Sequence, residues 1–237
     1  MVSFAVAARY IRSVIAWDTQ RPYPGSMSQP PRTSDRIAHA ALLAACLTPL
    51  IGLIAGACTR SLGADPVADI QHSTGIWSLR LLLFTLALTP LAHYCGWHEL
   101  GRYRRSLGLC AFLYGCLHGL AYLVFDQFFA WGAVTEDLLR RPALTAGLGT
   151  LLVLTPLAAT SFRGTVRLLG LQRWRKLHRL AYLAAGLAVF HYLWLVKQDI
   201  RDPALYALLL ALLIILRLQP RASQRKSLTA ARGETVR

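Results

Sequence analysis

The sequence predicts an all-α fold, a polytopic membrane bundle of six transmembrane helices. Three observations predict it. Hydrophobic residues make up 55% of the 237-residue chain and charged residues only 16%, too little charge to cover a soluble surface. Six apolar segments recur, each near the ~20 residues that cross a ~30 Å hydrocarbon core. The basic residues gather in alternate connections between those segments.

Residues 1–36 are polar and rich in Pro, Ser and Arg, as in Arg21-Pro22-Tyr23-Pro24-Gly25 and Pro30-Pro31. They are expected to form a largely disordered cytoplasmic extension in which Val2 to Trp17 could make a short surface helix. Five arginines without an apolar core do not read as a secretory signal. The predicted six-helix domain covers residues 37–218. Its spans are Ile37–Cys58, Ile76–His93, Leu107–Phe125, Pro142–Ser161, Leu177–Val196 and Pro203–Leu218, the last a little short. Backbone groups in lipid must bond within their own segment, which makes each span a helix. Pro142 and Pro203 suit first-turn positions. Pro49, Pro90 and Pro156 lie inside or near span ends, where they can kink a helix. Residues 219–237 form a basic tail.

Orientation follows from charge. Residues 1–36, 94–106, 162–176 and the tail from Arg217 hold 5, 3, 5 and 6 Lys and Arg. The opposite connections, 59–75, 126–141 and 198–202, hold 1, 2 and 1, and carry most of the acids. A positive-inside pattern places both termini in the cytoplasm and runs the third and fifth spans in the same direction. The net charge of +15 therefore faces lipid headgroups and cytoplasm and does not point to nucleic acid.

The five cysteines form no CxxC or CxxCH, which argues against zinc, a thioredoxin-type dithiol and covalent heme attachment. No Walker loop, GxGxxG, GxSxG or HExxH is present. Electrons or substrates must then come from a membrane pool or another protein.

Ligating groups inside a span are costly and are functional candidates. His118 lies 13 residues past Arg105, and His191 lies 15 past Lys176, the last basic residues before their spans. At ~1.5 Å per residue both stand about 20 Å along parallel helices from the same side. Two imidazoles at one depth predict bis-histidine ligation of a single heme iron, a six-coordinate state suited to electron transfer. Interhelical hydrogen bonding by each histidine separately is the structural alternative. Small residues nearby (Gly115, Gly119, Ala184, Ala185, Gly186, Ala188) would leave room for a flat macrocycle.

His178 opens the fifth span on the cytoplasmic side. On a straight helix, the 13 residues to His191 put the two rings ~20 Å apart and on different stripes. The matching depth on the third span holds Arg104 and Arg105 and no histidine, so a second bis-histidine heme lacks a ligand. Those arginines read either as topology determinants, the stronger reading, or as partners for a flavin phosphate or a propionate. His72 is placed on the outer loop entering the second span, as a solvated cap, a partner contact or a quinone contact. His93 and His98 are read as solvated, Arg80 as snorkelling outward, and His39 is assigned no role.

Several stretches resemble a known family. They are Ala64-Asp65-Pro66 through Ile70-Gln71-His72 to Gly75; Leu86-Ala87-Leu88-Thr89-Pro90-Leu91; Arg104-Arg105-Ser106-Leu107-Gly108-Leu109 leading to Leu117-His118; Arg141-Pro142-Ala143-Leu144-Thr145; and Arg173-Trp174-Arg175-Lys176-Leu177-His178-Arg179-Leu180-Ala181-Tyr182-Leu183 through His191-Tyr192-Leu193-Trp194-Leu195-Val196-Lys197. Together they resemble the MsrQ (formerly YedZ) family of bacterial heme-binding membrane subunits, within the ferric-reductase-like transmembrane superfamily. The resemblance implies an inner-membrane protein that passes electrons from the quinone pool through heme b to a periplasmic molybdopterin-containing methionine-sulfoxide reductase. It implies that His118, His178 and His191 associate with heme, and it brings FMN as a further cofactor without placing it. Arg104 occupies roughly the slot of a histidine found in the wider superfamily. A cytochrome b anchor for another reductase or dehydrogenase would share the local chemistry. A transporter or assembly factor with no redox centre would give colourless protein.

Overall fold

The computed structural model describes residues 33–196 and 199–218, apart from the side chains of His98 and Arg163. The N-terminal extension, its surface helix and the basic tail from 219 lie outside the described residues.

The described chain is helical, with no strand. It begins with α1 (Thr33–Thr59) and α2 (Pro66–Tyr94). After a 3₁₀ turn at His98–Tyr103 come α3 (Arg104–Ala121), α4 (Trp131–Arg140) and α5 (Pro142–Ala159). The short α6 (Arg163–Leu169) and α7 (Leu171–His178) lead to α8 (Ala181–Leu195) and α9 (Arg201–Leu218). The two most extensive interfaces pair α2 with α3 and α5 with α8. These pairs meet through α3–α5 and α2–α8 contacts, while α1 and α9 flank the four.

The core is Leu, Ala and Cys packed between helices, with Leu86, Ala111, Ala184 and Ala185 at 0% exposure. Large apolar side chains also cover the outside, among them Ile51, Phe84, Leu152, Leu183, Leu205 and Leu208. Such a surface is stable against lipid and not against water. Four helices are long and apolar enough to cross a membrane: Thr33–Thr59, Pro66–Tyr94, Glu99–Asp126 and Pro142–Ala159. The other two expected spans fall short for physical reasons. Helix α8 has only 15 residues, because the chain breaks at Arg179–Leu180 between α7 and α8. Helix α9 has 18 residues but carries Arg201, Asp202 and Arg217 at its ends.

Two local expectations change. The segment 66–75 is the start of α2 and not a loop. Asp65 caps it by accepting from the Val67 and Ala68 amides (3.1 Å each), with Pro66 in the first turn. His72 therefore rides on a helix. The connection after α3 is also ordered: a π turn at Tyr122–Asp126 leads to α4, where Asp137 accepts from Tyr122 (3.0 Å) and Gln127 (2.9 Å). Arg80 is half-buried and reaches a neighbouring helix. Its Nε donates to the Tyr206 hydroxyl (2.8 Å), and its guanidinium lies 5.2 Å from the Trp77 ring centre.

Prolines 49, 90 and 156 all sit inside helices. Near Pro49, Tyr114 of α3 is spliced into α1: its hydroxyl accepts from Leu50 N–H (3.1 Å) and donates to Cys46 O (2.9 Å). His39 is buried between α1 and α3, stacked on Tyr103 with its Nε2 3.0 Å from Ser106 Oγ. His93 is exposed, as expected.

The bundle has two chemically different ends. At one, Asp65, Asp126, Asp137, Asp199 and Asp202 surround the start of α2 and the end of α8. At the other lie Arg102, Arg104, Arg217 and the basic residues of α7.

Candidate functional site

His118 on α3 and His191 on α8 meet inside the bundle. Their ring centres are 6.0 Å apart and their planes 79° apart. Each ring is fixed in the same way by the neighbouring antiparallel helix. His118 Nδ1 lies 3.0 Å from Gln71 O on α2, and His191 Nδ1 lies 2.6 Å from Ala143 O on α5. A carbonyl can only accept, so Nδ1 carries the proton in both rings and each Nε2 keeps its lone pair.

Glycines make the approach possible. A Cβ on Gly75 would stand 3.1 Å from the His118 ring, and one on Gly147 would stand 3.0 Å from the His191 ring. The two supports follow one pattern: an accepting carbonyl and, four residues on, a glycine (Gln71 and Gly75; Ala143 and Gly147). The Gln71 amide in turn donates to the Asp126 carboxylate (2.6 Å), tying the α2 start to the end of α3.

The rings line a cavity of about 310 Å³ between α2, α3, α5 and α8. Its size falls in the range of small-molecule sites, about 300–1,000 Å³. Gly115 and Ala188 line it, as the small-residue pattern predicted. Ala184 and Ala185 are instead fully buried in helix packing, a Cβ on Gly119 would contact Leu151 (3.6 Å), and Gly186 faces open space.

The spacing suits a metal between two imidazoles. Bonds of about 2.0–2.1 Å and ~1.1 Å from nitrogen to ring centre put the two centres roughly 6.3 Å apart. The observed separation is within a few tenths of that. Among the described residues no group of three or more His, Cys, Asp or Glu could hold a metal ion, so equatorial donors would have to come from a ligand such as a porphyrin.

His178 is elsewhere. It closes α7 at the basic end, stacked 4.1 Å from the Trp174 ring with Nδ1 3.2 Å from Trp174 O. The break at Arg179–Leu180 removes the straight-helix count that related it to His191. Arg104 is at the same end, where its Nη1 donates to Thr89 Oγ1 (3.3 Å). Arg217 is nearby and donates to the Tyr182 hydroxyl (2.6 Å). The structure thus joins His118 with His191 and keeps His178 and Arg104 apart from them. Sequence reasoning missed Gln71, Gly75, Ala143 and Gly147. The readable signal was a glycine within the first three turns of each helix that faces a histidine.

An all-helical bundle with apolar outer walls and two imidazoles meeting beside an interior cavity defines a polytopic membrane protein with a candidate ligand site between its helices. Residues 74–189 match the family model described as ferric reductase like transmembrane component. A relative from Rhodospirillum rubrum is 46% identical over 193 residues, 81% of this chain and 93% of the relative. One from Azospira oryzae is 47% identical over 176 residues, 74% of this chain and 76% of the relative. One from Xanthomonas campestris pv. campestris is 50% identical over 167 residues, 70% and 76%. Each of these is described as a protein-methionine-sulfoxide reductase heme-binding subunit, MsrQ. The chain belongs to the MsrQ family.

Proposed function

We propose that this chain is a membrane electron-transfer subunit that holds one b-type heme between His118 and His191. The observation that carries the reading is the opposed pair itself: two rings 6.0 Å apart, each with Nδ1 tied to a backbone carbonyl and Nε2 left for iron. A heme held by these two imidazoles would supply a one-electron carrier, suited to electron transfer rather than oxygen binding. The protein's part is to fix both rings, keep their tautomers, and exclude water with Leu79, Leu151 and Leu154.

Family membership supports the remaining assignments. The subunit completes six crossings, because α8 and α9 pack along the same bundle as the four longer helices. It lies in the bacterial inner membrane with the basic end and both termini in the cytoplasm. It takes electrons from the quinone pool and delivers them to a periplasmic molybdopterin-containing methionine-sulfoxide reductase. His178, Arg104 and the basic end serve the entry side, where an FMN phosphate or a second heme would find cationic partners. Residues 1–36 and 219–237 flank the heme-binding domain.

Purified protein in detergent is expected to show a b-type α band in the reduced-minus-oxidised spectrum, with about one heme per chain. His118→Ala and His191→Ala should each remove that band. Retention of a full six-coordinate spectrum in either variant would refute the ligand assignment.

A further inference from the structure

The cavity between His118 and His191 is polar at one end only. Its inner wall, toward the basic end of the bundle, is Leu79, Leu154 and Ala188 with two hydroxyls. Both hydroxyl protons are already used: Ser78 Oγ donates to Ala111 O (2.9 Å) and Thr150 Oγ1 to Ala146 O (3.0 Å). That end offers an anionic group no donor.

The outer wall differs. His72 on α2 and Tyr192 on α8 face each other across it, ring centres 6.4 Å apart. Neither side chain makes a hydrogen bond among the described residues, so the imidazole and the phenol both have a donor to give. Behind them stands a cation. The Tyr206 ring is 6.1 Å from Tyr192, and the Tyr206 hydroxyl accepts from Arg80 Nε.

A b-type macrocycle is itself lopsided, with two propionate carboxylates on one edge and vinyl and methyl groups on the other. A buried carboxylate without donors is strongly disfavoured, whereas one that accepts charged or neutral hydrogen bonds is stabilised. We propose that His72 and Tyr192 are positioning residues that receive the carboxylate edge and so turn the macrocycle with its propionates toward the acidic, outer end of the bundle. Arg80, one residue removed through Tyr206, adds positive potential at the same edge and offsets in part the Asp202 and Asp199 carboxylates that also act on Tyr192. The arrangement also explains why an imidazole sits exposed on the first turns of α2: it closes the mouth around the only acidic part of the ligand. This inference rests on the heme reading above.

The test is a binding comparison. Full-length protein made without heme is titrated in detergent with iron protoporphyrin IX and with its dimethyl ester, which has the same ring and iron but no carboxylates. Wild type is expected to bind the free acid about tenfold or more tightly than the ester, the difference a charged hydrogen bond makes. His72→Phe with Tyr192→Phe should bind both alike and keep the bis-imidazole spectrum. His72→Gln with native Tyr192 keeps two donors and should restore most of the preference. A merely structural role would weaken both ligands equally, with the wild-type preference intact, and would overturn the proposal. So would a wild type indifferent to the esters. If wild type binds neither ligand with a six-coordinate spectrum, the heme reading itself fails.

Discussion

At the scale of single residues, the decisive feature is that both interior histidines are held by atoms without side-chain identity. Gln71 and Ala143 contribute carbonyls, and Gly75 and Gly147 contribute the lack of a Cβ. Contacts at 3.0–3.1 Å are tighter than an added methyl group ordinarily finds, so the ring or the helix must give by a few tenths of an ångström. Gly147→Val is expected to displace the His191 ring and lower heme content several-fold. Gly149→Val, whose added Cβ would meet only a Leu187 methyl at 3.5 Å, serves as the control. Heme per chain by pyridine haemochrome checks both; equal loss in the two variants would count against the glycine argument. The two histidines were legible in the sequence because depth in a membrane is countable from the nearest basic residue. Their supports were not, since a backbone carbonyl has no sequence signature and a glycine in an apolar helix usually means close packing.

At the scale of elements, Tyr114 shows how a flanking helix is attached. Helix α1 makes few contacts with the bundle, yet its ladder is interrupted beside Pro49 and completed by a hydroxyl from α3. Tyr114 is 1% exposed, so Phe at this position would leave Leu50 N–H and Cys46 O short of a partner in an apolar setting. Tyr114→Phe should destabilise α1 docking by about 1–3 kcal/mol, read as a lower unfolding temperature in detergent, with the heme spectrum unchanged. No change in temperature would show that the α1 ladder closes without the hydroxyl. Element boundaries were where sequence reasoning did least well. Asp65-Pro66 is a helix-start signal, but the polar run to Thr74 reads as a loop once helices are defined by hydropathy alone. The fifth span failed differently: Leu177–Val196 is continuous in hydropathy, whereas the backbone turns at Arg179–Leu180. Nothing in the local composition, free of Gly and Pro at that point, marks the turn.

At the scale of the whole molecule, charge sets direction. The acidic end holds His72 and the cavity mouth, and the basic end holds His178, Arg104 and Arg217. Two native cysteines report on the ends: Cys58 is exposed near the close of α1, and Cys95 is exposed after α2. In variants keeping one cysteine each, a membrane-impermeant maleimide applied to spheroplasts should label Cys58 and spare Cys95. The reverse pattern would invert the topology and with it the direction of electron delivery. The bundle was predictable from composition and basic residues because those obey the bilayer as solvent. How six segments pack is set by contact surfaces that hydropathy does not encode, so the pairing of α2 with α3 and α5 with α8 became visible only in the structure.

The central claim is that His118 and His191 grip one iron with their ring planes nearly perpendicular, 79° apart. Electron paramagnetic resonance of the oxidised protein tests both halves at once. Crossed imidazole planes bring two iron d orbitals close in energy and give a low-spin ferric signal of large g anisotropy. That signal is the expected result. A high-spin ferric signal would contradict the account, because one of the two histidines would then not reach the iron, and so would a low-spin signal of small g anisotropy, because the ring planes would then lie near parallel.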